Sequence, residues 1–130
     1  ISACLVGSEM CIRDRAQDQA LLQEALKDCD KNQLTMNVCA SHRYATADQK
    51  LNQQYKQLMA QQDATGKQRL RDAQRAWISF RDKDCLANTG LREESGSIWP
   101  LLHYSCLERH TSQRSEDLKL QACGMEGCGK

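Results

Sequence analysis

The sequence predicts an all-α domain that is held together by disulfide bonds. Apolar residues recur at three- and four-residue spacing along three long segments, the pattern of a helix with one buried face, and no segment shows the alternation of a strand. Eight cysteines in 130 residues indicate an oxidising compartment. We expect one domain: a hairpin of two long antiparallel helices, a third helix packed along it and a shorter N-terminal helix.

The composition argues against a nucleic-acid partner and against a membrane span. Charged residues make up 27% of the chain, but the formal net charge is +1, and Lys and Arg do not cluster as they do on a nucleic-acid-binding surface. No stretch approaches the roughly 18 apolar residues of a membrane span. The sequence therefore predicts no nucleic-acid partner and no transmembrane segment.

Residues 1–15 differ in character from the rest of the chain. The run Glu9–Asp14 resembles the translation of a transposase adaptor used in preparing sequencing libraries. A degenerate signal peptide is the alternative, but the apolar part is short, has no basic residue before it and lacks a small-x-small cleavage site. We expect residues 1–15 to be a non-native leader in place of the native signal peptide, followed by a helical domain over 16–120 and a Gly- and Cys-rich tail over 121–130.

Six cysteines remain when this leader is set aside, an even number that suits disulfide bonds: Cys29, Cys39, Cys85, Cys106, Cys123 and Cys128. A zinc site is the competing use, but the chain contains no C-x-x-C pair. We expect bridges among the first four, with Cys123 and Cys128 as a further candidate pair, and we predict no cofactor.

The first two helices are predicted on either side of a polar run. Helical spacing of apolar residues favours a short helix from about Ala16 to Asp28. Thr35 suits the N-cap of the next helix, because its hydroxyl can accept a hydrogen bond from a free backbone amide. The apolar face of this first long helix is expected to hold Ala40, Tyr44, Ala47, Leu51, Gln54 or Tyr55, and Leu58.

A second long helix is predicted after a break at Asp63–Gly66. Gly66 can adopt the left-handed conformation that ends helices, and a connection of this length makes the two helices antiparallel neighbours. The helix is expected from about Lys67 to Leu86, with Trp77 in the core. Its buried face is expected to hold Leu70, Ala73, Trp77, Phe80 or Arg81, and Asp84 or Cys85.

The third long helix is predicted to follow a loop over Asn88–Ile98, which is rich in Gly, Ser and charge. Pro100 suits the first position of this helix, where its missing N–H costs no hydrogen bond. The helix is expected to end near Leu118 or Ala122. It is expected to bury Leu101, Tyr104, Leu107 or Glu108, Thr111 and Leu118.

Motifs in the first two long helices resemble those of a known family. The first helix reads N-V-C-A from Asn37 and A-D-Q-K-L-N-Q-Q-Y from Ala47, and the second reads A-Q-R-A-W-I-S-F-R-D-K-D-C from Ala73 to Cys85. These motifs resemble the LprI-type lysozyme inhibitors over about residues 29–118. The chain departs from the family in the loop, where it reads S-G-S at residues 95–97 instead of G-G-S.

The resemblance implies a small secreted domain, periplasmic or extracellular, whose partner is lysozyme or another envelope protein. Binding rather than catalysis is the expected activity, since the sequence has no Ser-His-Asp set, no phosphate loop and no H-E-x-x-H motif. The alternative function is a structural or stress-related envelope domain without an enzyme target. A metal-binding helical protein is a third interpretation.

The pairing of the cysteines is left open by the sequence, with one arrangement favoured. Cys39 and Cys85 fall at the same end of an antiparallel hairpin, which leaves Cys29 and Cys106 to join the N-terminal segment to the third helix. Counted outward from Gly66, Cys39 and Cys85 differ in level by about 9 Å, whereas a bridge requires Cα atoms within about 7 Å. The favoured pairing therefore requires a tilt or a shifted register, and the other pairings of these four stay open.

The loop before the third helix is the candidate binding surface. It combines backbone freedom with the charges of Arg92, Glu93 and Glu94 and the ring of Trp99. Loops on a rigid scaffold are where binding residues concentrate, and a partly exposed aromatic ring can anchor a partner. Packing of Trp99 against the helix ends is the more common use, and the sequence favours it for that residue.

One set of residues on the third helix has the spacing of a metal site. His103, Cys106 and His110 share a helix face and would satisfy three zinc positions. The favoured interpretation is that both histidines are ordinary surface residues beside a bridged cysteine. Asp82 and Asp84 do not face each other on a helix, so they predict ion pairs or caps rather than a catalytic pair.

Overall fold

The computed structural model describes residues 19–124, which are almost entirely helical. Residues 19–27 belong to helix α1, which is followed by α2 (Gln33–Ala60), α3 (Ala64–Thr89), α4 (Arg92–Ser95), a 3₁₀ turn (Gly96–Ile98) and α5 (Trp99–Cys123). The described residues contain no strand, and the predicted all-α fold class is confirmed. The predicted leader over 1–15 and the end of the predicted tail, including Cys128, lie outside the described residues.

A membrane span is not found among the described helices, none of which combines the length and the apolar character required.

Helix α2 begins three residues earlier than predicted, because its N-cap is Asn32 and not Thr35. The Asn32 side chain accepts a hydrogen bond from Thr35 N over 2.9 Å, and Asn32 N donates to Thr35 Oγ1 over 3.0 Å. Thr35 is therefore the third residue of the helix and the second half of a capping box, not the cap. Its hydroxyl also lies 3.0 Å from Cys29 O, which ties the preceding turn to the start of α2.

The turn between α2 and α3 is shorter than predicted, and Gly66 does not end a helix. Asp63 caps α3, with its carboxylate accepting from Gly66 N over 2.7 Å, so Gly66 lies inside the first turn of α3. An acceptor side chain at the N-cap satisfies one of the free amides of that turn. Among the described residues, the glycines with positive φ are Gly90, Gly96 and Gly124.

The directions of the three long helices follow from their cross-contacts. Leu58 meets Leu70 near the α2–α3 turn, and Tyr44 meets Cys85 at the far end, so α2 and α3 are antiparallel as predicted. Helix α5 returns parallel to α2 and antiparallel to α3. The most extensive contact in the bundle is between α2 and α5. Helix α3 packs mainly against α5 and touches α2 less.

The core consists of two clusters at successive levels of the bundle. Leu51, Leu58, Leu70 and Leu118 form the cluster near the α2–α3 turn, and Tyr44, Cys85, Cys106 and Leu107 form the other. Trp77 packs against the first cluster, as predicted, with part of its ring left accessible. On the predicted buried face of α3, Ala73 is wrong because it is exposed. Of the predicted alternatives, Arg81 and Cys85 are buried and Phe80 is exposed.

The favoured disulfide pairing is wrong. Cys29 is bonded to Cys39, and Cys85 to Cys106, each with a Cα–Cα distance of 5.8 Å. The first bridge forms because the turn capped by Asn32 places Cys29 beside the second turn of α2, and the second because α5 is antiparallel to α3. Cys123 is also disulfide-bonded.

Candidate functional site

The segment predicted as an open loop consists of short helical turns. Helix α3 continues to Thr89, and Gly90 ends it with a φ of 71°. Gly96 redirects the chain after α4 with a φ of 67°. This left-handed conformation costs glycine little, whereas a side chain would be strained in it. We call residues 90–98 the α3–α5 connection.

Hydrogen bonds fix the α3–α5 connection to the ends of the long helices. Trp99 Nε1 donates to Gly90 O over 2.9 Å and so joins the two ends of the connection. Ser95 Oγ donates to Thr89 O, also over 2.9 Å. Asn37 Nδ2 of α2 donates to Ser97 O over 2.9 Å. These bonds take up carbonyl groups that a loose loop would leave to water.

A row of aromatic rings joins the connection to the core. Trp99 stacks on His103 with ring centroids 4.2 Å apart, His103 meets Tyr104 edge to face at 5.4 Å, and Tyr104 stacks on Tyr44 at 6.0 Å. Burial lowers the pKa of His103, and its Nδ1 is buried without a hydrogen-bond partner. The favoured structural role of Trp99 therefore agrees with its position: its N–H and one ring face are already occupied.

The Cys85–Cys106 bridge encloses the whole connection. Its two cysteines are 21 residues apart in sequence and sit in the core, Cys85 with no exposed surface and Cys106 with 6%. The covalent link holds the end of α3 against α5, so both ends of the connection are anchored on a rigid base. Such a closed segment has fewer conformations to lose when it binds.

The charged residues predicted for binding are on the solvent side of the connection. Arg92, Glu93 and Glu94 are exposed, and the Arg92 guanidinium lies 5.9 Å from the centre of the Trp99 ring. The Glu94 carboxylate already accepts a hydrogen bond from Leu91 N over 3.2 Å. Arg92 and Glu93 are therefore the predicted residues whose charged groups are most available to a partner.

Sequence reasoning missed the apolar side chains of the same region. Leu91 is 50% exposed, Ile98 41% and Leu102 42%. Leu91 and Ile98 stand in a polar segment without helical periodicity, so no pattern distinguished them from residues that pack inward, and Leu102 lies in the first turn of α5 outside its predicted buried face. The exposure of Leu91 and Ile98 gives the connection an apolar component as well as charge.

The predicted metal-binding set does not come together. His103 stacks on Trp99, Cys106 is bonded to Cys85, and His110 Nε2 lies 2.6 Å from Asp84 Oδ2. Within residues 19–124, the His, Cys, Asp and Glu ligand atoms that do cluster belong to Cys85, Cys106 and His110, all within 4.8 Å of one another.

Arg81 is a buried charged residue, and its side chain contacts other residues of the core. Its side chain is buried between Trp77 and Tyr44, with the guanidinium 5.0 and 5.8 Å from the two ring centres. Nη1 donates to Thr111 over 3.4 Å and Nε to Asp82 over 3.0 Å. Asp82 thus forms an ion pair, one of the two roles expected for it, and the bond from Arg81 to Thr111 joins α3 to α5.

Comparisons with known proteins agree with the resemblance found in the sequence. Residues 27–118 match the family described as "Lysozyme inhibitor LprI". A protein of Rhizobium meliloti (strain 1021) that is described as uncharacterized is 35% identical over 112 residues, which cover 75% of this chain and 80% of that protein. No solved structure is significantly similar to the chain. On the family match over most of its length, this chain belongs to the LprI lysozyme inhibitor family.

Proposed function

We propose that this protein binds lysozyme and inhibits it with the exposed side of the α3–α5 connection. The observation that carries the proposal is that the connection is both exposed and fixed: a buried disulfide closes it, and Trp99 joins its ends. A surface that is already ordered loses little conformational entropy when it binds, so more of the contact energy remains as affinity. The family match supports lysozyme as the target class.

The chemistry of a lysozyme cleft suits Arg92. Glycosidases act with a pair of carboxyl groups on either side of the scissile bond, so the centre of the cleft carries negative charge. The exposed Arg92 guanidinium can pair with such a carboxylate through two parallel hydrogen bonds, and the neighbouring Leu91 and Ile98 add apolar contact. Local pairing has to supply this attraction, because the formal net charge of the whole chain is only +1.

The disulfides support a location outside the cytoplasm. Cys29–Cys39 and Cys85–Cys106 are both formed, and structural bridges of this kind persist in oxidising compartments. The periplasm or the extracellular space is the proposed site of action, and it is where a lysozyme would be met.

The test is inhibition of cell-wall lysis by lysozymes of several classes, with the oxidised protein and two charge-reversal variants. We expect Arg92→Glu to raise the inhibition constant at least tenfold, about 1.4 kcal/mol of binding energy. Arg71→Glu is the matched control: it makes the same charge change on an exposed residue of α3, 18 residues before Thr89 and so roughly 27 Å away. Circular dichroism checks that both variants keep their helices.

Two results would count against the proposal. Equal inhibition by Arg92→Glu and Arg71→Glu would show that the connection is not the binding surface. The absence of inhibition at high micromolar concentration against every lysozyme class would remove lysozyme as the target, and the envelope-domain alternative would replace it.

A further inference from the structure

We propose that, when its Cys85–Cys106 bridge is reduced, this protein binds one zinc ion through Cys85, Cys106 and His110. The two sulfur atoms and a ring nitrogen of His110 lie within 4.8 Å of one another. Tetrahedral zinc with bonds of about 2.0 to 2.3 Å places its ligand atoms roughly 3.3 to 3.8 Å apart. Once the sulfur–sulfur bond is broken the two sulfurs can separate to that range, and neither lies more than about 1 Å beyond it from the His110 nitrogen.

The surroundings of the three residues are those of a formed site. Cys85 and Cys106 are buried, and the His110 side chain is 17% exposed, which leaves an approach for the ion. Asp84 Oδ2 lies 2.6 Å from His110 Nε2, and carboxylates commonly orient metal-binding histidines in this way. Arg109 Nη2 lies 3.8 Å from Cys106 Sγ, where its positive charge favours a thiolate.

The site exists only after a two-electron reduction. A dithiol reductant supplies two electrons and two protons and itself becomes a disulfide, while the Cys85–Cys106 bond breaks into two thiols. Zinc then binds the two sulfurs as thiolates, and their two protons pass to solvent. The ion links the same two helices that the bridge links, so the base of the α3–α5 connection stays closed in both redox states.

The Cys29–Cys39 bridge is a natural control. Its Cα atoms are 5.8 Å apart, as they are in Cys85–Cys106, but no group of three ligand atoms forms around it within residues 19–124. Reduction there produces a dithiol without a nearby histidine. A difference in metal affinity between the two reduced cysteine pairs therefore reports the contribution of His110 and not merely the presence of thiols.

The experiment uses the full chain, reduced with dithiothreitol, freed of reductant without oxygen, and titrated with Co²⁺ as a spectroscopic probe, followed by competition with Zn²⁺. We expect thiolate-to-cobalt charge transfer and tetrahedral d–d bands from the reduced chain. Cys85→Ala with Cys106→Ala should remove one equivalent of bound cobalt, whereas Cys29→Ala with Cys39→Ala should retain it. His110→Gln keeps all thiols and should weaken cobalt binding at least tenfold.

The outcomes are decisive in both directions. The proposal is overturned if the reduced chain binds no cobalt, if the oxidised chain binds it equally well, or if the His110→Gln variant binds as tightly as the wild type. If circular dichroism shows that the Cys85→Ala, Cys106→Ala variant is unfolded, the His110→Gln titration decides alone, because the His110→Gln variant leaves both bridging cysteines in place.

Discussion

Removal of the Cys85–Cys106 bridge is the perturbation that most directly tests how the connection is held. The bridge closes a loop of 21 residues, for which the loop-closure relation gives about 3.3 kcal/mol at 25 °C. The shorter loop of 10 residues closed by Cys29–Cys39 gives about 2.7 kcal/mol by the same relation. With an unfolding entropy typical of 130 residues, the loss of about 3.3 kcal/mol of stability lowers Tm by roughly 12 °C.

The assay is urea and thermal unfolding of Cys85→Ala with Cys106→Ala, compared with Cys29→Ala with Cys39→Ala. Alanine is chosen because Cys85 has no exposed surface, and a serine hydroxyl there would be buried. We expect both double variants to be destabilised by similar amounts, but lysozyme inhibition to be weakened mainly in the first, because only that bridge encloses the connection. Equal inhibition by the two variants, or an unfolding midpoint unchanged by loss of either bridge, would refute this reasoning.

Three further predictions concern single residues. Trp77→Ala should cost about 2 to 3 kcal/mol in urea unfolding, below the 3 to 5 of a fully buried aromatic ring because part of this ring is accessible; an unchanged midpoint would contradict its packing on the leucine cluster. Burial lowers the pKa of His103, so the folded chain takes up this proton only at a lower pH than the unfolded chain, which takes it up near the ordinary value of about 6.5. Stability should therefore be full above that pH and decline below it, and His103→Phe should reduce the decline; parallel pH profiles would rule this out. Asn32→Ala should cost about 1 kcal/mol by removing the cap of α2, read as a lower Tm, and a variant as stable as the wild type would argue against the capping box.

The sequence by itself determined the helical architecture, because the residues concerned act locally. The spacing of Tyr44, Ala47, Leu51 and Leu58 defines one face of α2, and all four are buried. Pro100 lies in the first turn of α5, as its missing amide requires. The cap was misplaced because Asn32 and Thr35 are both good capping residues, and the choice between them depended on the turn from Cys29.

The tertiary structure alone decided how the candidate site is built, because its contacts join residues far apart in the chain. The pairing of Cys85 with Cys106 depends on α5 packing antiparallel to α3, which no local pattern encodes. The stacking of Trp99 on His103 and its hydrogen bond to Gly90 likewise depend on the path of the connection. Local propensities specify which segments are helices; the alignment of one helix against another is set by side chains from both, and that alignment determines which residues meet.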